Sequence, residues 1–356
     1  MATDYKQYLE ELITTTAQNG ASDLHLSPGN YPIMRVDGRL LPISNKKILD
    51  YEVLGGLVAV LLGEERRSRF LSEKEADFSY ESAQGARFRV NAYYTRGRVA
   101  ATLRLIPDEI KTTEELGLPT ILKAFAKLSQ GLVLIVGPNG HGKSTTMAAL
   151  INLINKDRAE KVVTIEDPIE YIFTPDKSVI DQREVYQDTF SFHKALRSTF
   201  RQNVNVIMVG ELRDYETMSA AVTASETGHL VFASLHTNSA SQTIERIIDS
   251  FPPNQQSQIR NQLASTISGI ISQRLIPAIK GGLYPAVEVM IATPAVRTLI
   301  RDNRPRQLDL VIETSQDIGM ISLNRSLADL VRRKIIDLER AQFYSLNPSE
   351  LKELLR

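Results

Sequence analysis

The chain has 356 residues, of which 42% are hydrophobic and 24% charged, with 42 Lys+Arg against 42 Asp+Glu and no cysteine. This is the composition of a folded, water-soluble chain long enough for two domains. It excludes disulfides, thiolate chemistry and cysteine-ligated zinc or iron–sulfur centres, and the even charge leaves no global field to attract nucleic acid or an anionic membrane.

Met1-Ala-Thr-Asp-Tyr-Lys6 leads into a charged amphipathic segment rather than an apolar one, so no cleavable signal peptide is expected and the protein should stay on the synthesis side of the membrane. Leu9, Leu12 and Ile13 predict a helix over residues 5–16, stopped by Asn19-Gly20. In residues 31–41, Asp37-Gly38 separates two apolar runs, which is a hairpin signal. The longest apolar stretch, residues 53–63, is about half of the ~20 residues a spanning helix needs, so membrane contact is expected only through a partner. Two strands, residues 86–94 and 99–106, joined at Arg96-Gly97, complete a small α+β domain ending near Pro107. Residues 108–115 are polar, lack an apolar period and read as a linker.

Beyond the linker the pattern is α/β. GLVLIV (131–136) is a continuous apolar run suited to a strand buried on both faces, and residues 144–154 have helical spacing. Similar runs at 161–165, 206–209 and 230–235, separated by helix-length segments, imply a parallel sheet. After about Ile291 helical segments dominate, ending with a helix that starts at Asn347-Pro348. The predicted division is therefore 1–107, a linker 108–115, an α/β core 116–290 and a helical region 291–356.

Gly137-Pro138-Asn139-Gly140-His141-Gly142-Lys143-Ser144 fits G-x-x-x-x-G-K-[ST] between that buried strand and that helix. The alternative is a chance glycine turn. Read as a phosphate loop, its N–H groups and the helix dipole face phosphate oxygens, Lys143 neutralises the β- and γ-phosphates, and the Ser144 hydroxyl holds Mg²⁺ of an ATP complex. Thr145 is counted with the loop as nucleotide-binding, and His141 reads as a loop residue rather than an acid or base. Glu211 follows an apolar strand and is the candidate to polarise the attacking water, or else a capping acid for the next helix. In Glu166-Asp-Pro-Ile-Glu170, the Pro168 turn is expected to aim Glu166 toward Mg²⁺ and the γ-phosphate. His229 and His236 flank LVFASL at an odd separation, which argues against a two-histidine metal site; each reads either as a donor to phosphate or Glu211, or as a satisfied strand-end residue. Arg87, Arg89, Arg96, Arg98 and Arg104 form an acid-free stretch, open to reading as a solvated face, a nucleic-acid patch or a source of arginine fingers.

These motifs, in this order, resemble the secretion and type IV pilus ATPase superfamily, and within it the retraction motors. The resemblance rests on ASDLHLSPG (21–29), RVDGRL (35–40), RFRVN (87–91), the phosphate loop, TIEDPIE (164–170), VGELRD (209–214), GHLVFASLHTNSA (228–240) and RIIDSFPP (246–253). It implies a PAS-like first domain, a RecA-like core and a homohexamer with nucleotide between the domains. Glu211, Glu166 and both histidines gain weight as site residues by it. Arg89 and Arg104, ahead of Arg87 and Arg98, would reach the phosphates. The implied protein is a cytoplasmic ATPase at the inner membrane that hydrolyses ATP to withdraw pilin, acting through a membrane platform protein, with no direct nucleic-acid partner. A short chain without the four-cysteine zinc motif points away from pilus assembly. AVRTLIRD (295–302) resembles the retraction signature AIRNLIRE with three changes, which leaves an accessory paralogue as the alternative. Asn203-Val-Asn205 departs from the family's acidic residue and proline. A slow nucleotide switch and a RecA-like translocase are the readings from other classes.

Overall fold

The computed structural model describes residues 4–36, 38–106 and 109–356; Met1 to Thr3, the turn residue Asp37, and Pro107 and Asp108 at the expected boundary lie outside the described residues. Two compact units result, one up to Glu109 together with Asp167–Ile172, the other comprising Ile110–Glu166 and Phe173–Arg356.

In the first unit the order is α1 (Tyr5–Gln18), β1 (Asp23–Leu26), β2 (Ile33–Val36), β3 (Arg39–Pro42), α2 (Tyr51–Glu73), β4 (Glu75–Glu81), β5 (Arg87–Thr95) and β6 (Arg98–Ile106). The six strands form one antiparallel sheet in the order β3-β2-β1-β6-β5-β4. α1 is capped by the Asp4 carboxylate and buries Leu9, Leu12 and Ile13, the residues whose spacing predicted it. α2 bends at Gly63, where φ is 63°, and contains the apolar stretch 53–63. No helix among the described residues is long and apolar enough to cross a membrane. Leu54, Leu57 and Leu61 from α2 pack with α1 on Leu24, Phe88, Val90 and Leu103 of the sheet. Strand alternation leaves Arg87, Arg89, Asp23 and Arg104 on the other face.

The second unit holds α3 (Leu122–Ala126), β7 (Gly131–Val136), α4 (Lys143–Asp157), β8 (Lys161–Glu166), β9 (Val179–Glu184), α5 (Phe192–Thr199), β10 (Val206–Val209), α6 (Tyr215–Glu226), β11 (Leu230–Leu235), α7 (Ala240–Asp249), α8 (Pro253–Thr266), β12 (Ile267–Pro277) and β13 (Leu283–Ile291). It ends in α9 (Pro294–Arg301), α10 (Leu308–Thr314), α11 (Leu323–Arg332), α12 (Leu338–Tyr344) and α13 (Pro348–Leu355). The sheet order is β13-β12-β7-β11-β10-β8-β9. β7, β10 and β11 are buried along their whole length, as continuous apolar strands covered on both faces should be. The expected parallel sheet carries one antiparallel edge, since β13 runs against β12 over nine residue pairs, Gly269↔Ile291 to Pro277↔Leu283. In α9 the signature segment does structural work of its own: Arg297 donates to Ala264 O at 2.7 Å and Ser265 O at 2.5 Å, closing the last turn of α8.

Candidate functional site

β7, β11, β10 and β8 are parallel neighbours, so their C-terminal ends open along one edge, where ligands bind in open α/β sheets. That order sets the loop after β7 beside His236 after β11, then Glu211 after β10, then Glu166 at the end of β8. Positions far apart in sequence are thus adjacent at the sheet edge.

Gly137, Gly140 and Gly142 have φ of 146°, 75° and 78°. At Gly137 a Cβ would also stand 2.3 Å from Gln273 O, so this position admits only glycine. No side chain caps α4, whose N-cap is Gly142. A helix N-terminus offers an anion the positive end of the helix dipole and first-turn N–H groups. Ser144 and Thr145 sit in that turn.

Lys143 is 8% exposed, and its ammonium donates to Gly137 O and Pro138 O, each at 2.9 Å, with His236 Nδ1 at 3.2 Å. An ammonium only donates, so Nδ1 accepts and the ring proton lies on Nε2, which donates to Glu211 Oε1 at 3.0 Å. Lys143, His236 and Glu211 therefore form one hydrogen-bonded chain from the phosphate loop to the carboxylate. Glu211 Oε2 accepts from Arg213 Nε at 2.9 Å. Its backbone is fixed by Ser234 Oγ on Gly210 O at 2.6 Å and by Leu212 N–H on Ser234 O. Glu211 does not cap α6; the Asp214 carboxylate does, accepting from Thr217 N–H at 2.7 Å.

Two of the candidate residues have partners outside the chain from Lys143 to Glu211. Glu166 is 5% exposed, and its Oε1 accepts from Thr164 Oγ1 at 2.7 Å and Gln182 Nε2 at 3.4 Å. Thr164 is its i−2 neighbour on the same face of β8, so this oxygen bonds back along the strand. His229 precedes β11, a strand of six residues spanning roughly 20 Å, and its Nδ1 lies 3.0 Å from Ala224 O. Within one chain it meets neither the phosphate loop nor Glu211. Two arginines of the first unit hold carboxylates, Arg89 with Glu170 at 3.3 Å and Arg104 with Asp23 at 2.9 Å, while Arg87 Nη2 donates to the backbone Ile169 O at 3.3 Å. Arg89 and Arg104 are direct cross-strand partners, as are Arg104 and Asp23. Arg98 lies over the Tyr51 ring. Among the described residues, no group of three or more His, Cys, Asp or Glu could hold a metal ion.

Polar residues of β12 and β13 that the motif reading missed also reach the site. Ser272 Oγ donates to Asn238 O at 2.9 Å, and Glu288 Oε1 accepts from the N–H of Ala240, the first residue of α7, at 2.7 Å. The signal was a polar residue inside an apolar strand. Burial pushes the Glu288 carboxyl up to about 7; the Ala240 N–H and Arg274 oppose this, and Asp309 and Glu313 add to it. A carboxyl raised above its unfolded value costs no stability below the unfolded pKa, and the full cost applies above the folded one. Glu288→Gln keeps the acceptor for Ala240. It is expected to stabilise the protein by up to about 3 kcal/mol at pH 8 and not at pH 4.5, as read by urea unfolding at the two pH values. An equal difference at both would show that ionisation of Glu288 is not the cause.

A glycine loop leading from a buried parallel strand into an uncapped helix, with a lysine at its turn, defines a P-loop ATPase. The sequence profile of the Type II/IV secretion system protein family matches residues 3–282, and the chain belongs to that family. It is 42% identical to the type IV pilus retraction ATPase PilT of Pseudomonas aeruginosa over 334 residues, 94% of this chain and 97% of that protein. It is 38% identical to the type IV pilus ATPase PilU of the same organism, over 98% of this chain and 91% of that one. The crystal structure of the pilus retraction motor PilT with bound ADP superposes with a TM-score of 0.89 at 42% identity, covering 97% and 98% of the two chains.

Proposed function

We propose that this ATPase powers retraction of a type IV pilus, withdrawing pilin subunits as ATP is hydrolysed. The observation that supports the reading most is the chain from Lys143 through His236 to Glu211, which joins an ammonium to a carboxylate across the ends of β7, β11 and β10. Loop 137–142 and the first turn of α4 bind the phosphates, with Pro138, Asn139, Gly140 and His141 contributing backbone. Mg²⁺, held by phosphate oxygens and Ser144 Oγ, would supply charge neutralisation. Glu211 orients the attacking water, and His236 senses whether Lys143 is engaged by phosphate, because Lys143 donors given to phosphate are withdrawn from His236 Nδ1. Arg89 and Arg104 exchange their carboxylate partners, part-exposed Glu170 and buried Asp23, for phosphate, in their own subunit or a neighbouring one of a homohexamer. Glu166 acts as a buried support, and His229 acts between subunits. The motor works at the cytoplasmic face of the inner membrane through a platform protein of the pilus, without nucleic acid.

The similarity to PilU and the altered segment 295–302 favour an accessory retraction ATPase as the second reading. Deleting the gene tests the proposal: cells are expected to carry excess surface pili that do not shorten and to lose twitching. Bald cells would mean an assembly motor. Normal retraction that becomes weak only under load would mean the accessory role.

A further inference from the structure

β12 is longer than the neighbour it pairs with. Its parallel pairing with β7 ends at Ser272↔Val136, while β12 continues to Pro277, its other edge still paired to β13 through Gln273↔Val287 and Leu275↔Pro285. Beyond Val136 the chain on that side becomes the phosphate loop. Backbone and side-chain groups of β12 that have no strand to bond there bond the loop instead.

Gln273 is 2% exposed. Its Nε2 donates to His141 O at 2.8 Å, and its Oε1 accepts from Thr146 Oγ1 at 2.8 Å. One planar amide thus ties the middle of the loop to the first turn of α4. Two residues on, Leu275 N–H donates to His141 Nδ1 at 2.9 Å. Gln273 O and Nε2 are also the atoms that a Cβ at Gly137 or Gly142 would strike, at 2.3 and 2.9 Å. The loop is packed on this residue at both ends. On the alternate face, Ser272 Oγ and Arg274 Nη2 reach Asn238 O and Asn238 Oδ1 at 2.9 and 3.4 Å, two residues after His236. Ile276 anchors the helices of the C-terminal region, packing with Leu323, Leu327 and Ala328.

We infer that Gln273 is a positioning residue for nucleotide binding, which holds the phosphate loop in its binding curl through His141 and Thr146 and ties that curl to the strand that also carries the C-terminal helices. The inference rests on loop 137–142 being the phosphate site. Gln273 touches no phosphate; it fixes the N–H groups that do. Buried amides of this kind are costly to lose, since Thr146 Oγ1 and His141 O would both lose a buried partner. His141 joins the same support as an acceptor, so its Nδ1 must be unprotonated. Burial, Arg274 and Lys143 hold its pKa below the ordinary histidine value, which keeps the bond with Leu275 intact near neutral pH and breaks it only in more acid solution.

The test is ADP binding by the full-length protein with magnesium, read as Kd, beside steady-state KM and kcat. Wild-type affinity for ADP establishes the phosphate site itself; its absence would remove that reading, whereas the inference is judged on the variants. Gln273→Met, of similar volume, is expected to raise Kd and KM about tenfold while kcat changes much less. Thr146→Val, a milder change that serves if Gln273→Met does not fold, is expected to raise Kd about threefold. The double variant should be no weaker than Gln273→Met alone, because Gln273→Met already removes the bond that Thr146→Val removes. His141→Asn offers Oδ1 to the Leu275 N–H without titrating. It should recover most of the affinity that His141→Ala loses, and its Kd should rise less than that of wild type between pH 7.5 and 5.5. Unchanged ADP affinity in Gln273→Met, effects that add in the double variant, or His141→Asn tracking the wild-type pH profile would each overturn the assignment.

Discussion

Lys143→Ala is expected to lower the rate of phosphate release from ATP by at least a hundredfold, with ADP affinity falling as well. The side chain is 8% exposed and its ammonium is held between Gly137 O, Pro138 O and His236 Nδ1. Truncation to Ala removes the cation closest to where the β- and γ-phosphates would lie, and preorganised charges of this kind contribute on the order of 10²–10³ in rate each. It also takes the donor from His236, freeing the ring to flip tautomer and lose its bond to Glu211. Two parts of the site fail at once, so His236→Ala combined with Lys143→Ala should cost little more than Lys143→Ala alone. The assay is inorganic phosphate release by the purified protein with magnesium. A rate within threefold of wild type would mean that loop 137–142 is not where ATP is hydrolysed.

Much of this arrangement was legible in the sequence because it depends on local rules. The phosphate loop is readable because its glycines, lysine and serine are consecutive and lie between GLVLIV and a helical period. β10 and β11 are readable because they are short, wholly apolar runs buried on both faces. β9 and β12 were missed for the opposite reason. VIDQRE is a polar edge strand, and ISGIISQRLIP interrupts its apolar run with Gly269, Ser272, Gln273 and Arg274. Ser272, Gln273 and Arg274 are the residues that face the loops, so the polar features that hid β12 are the ones that make it matter to the site. Pair geometry was less readable still. Sequence spacing could not tell that Glu166 Oε1 accepts from Thr164, because side-chain bonding at a strand end depends on which neighbours offer a donor. It could not place His229 either, because the length of β11 separates the two ends of that motif. The carboxylate partners of Arg89 and Arg104 come from positions 170 and 23, more than eighty residues away in each case.

Glu211→Gln is expected to reduce kcat by about 10²–10³ while leaving the Kd for ADP within about threefold, because the substitution removes charge and keeps shape. Glu211 is held on both oxygens, Oε1 by His236 Nε2 at 3.0 Å and Oε2 by Arg213 Nε at 2.9 Å. The Gln carbonyl still accepts from His236, so the chain to Lys143 survives and the loop keeps its form. The amide nitrogen, however, only donates, and it can neither accept from Arg213 nor take a proton from water. A general base contributes typically 10²–10⁴ in rate, which sets the expected loss. The Arg213 pair does not compete seriously with this role: Arg213 is half exposed, and exposed pairs contribute about 0–1 kcal/mol, so water can displace it at little cost. Arg213→Ala is accordingly expected to change kcat by less than about fivefold, which separates the carboxylate from its ion-pair partner. Single-turnover phosphate release, with ADP binding measured on the same preparations, decides between chemistry and binding. If Glu211→Gln released phosphate at the wild-type rate while Arg213→Ala abolished release, the assignment would pass to the arginine and the chain from Lys143 would end at a structural carboxylate.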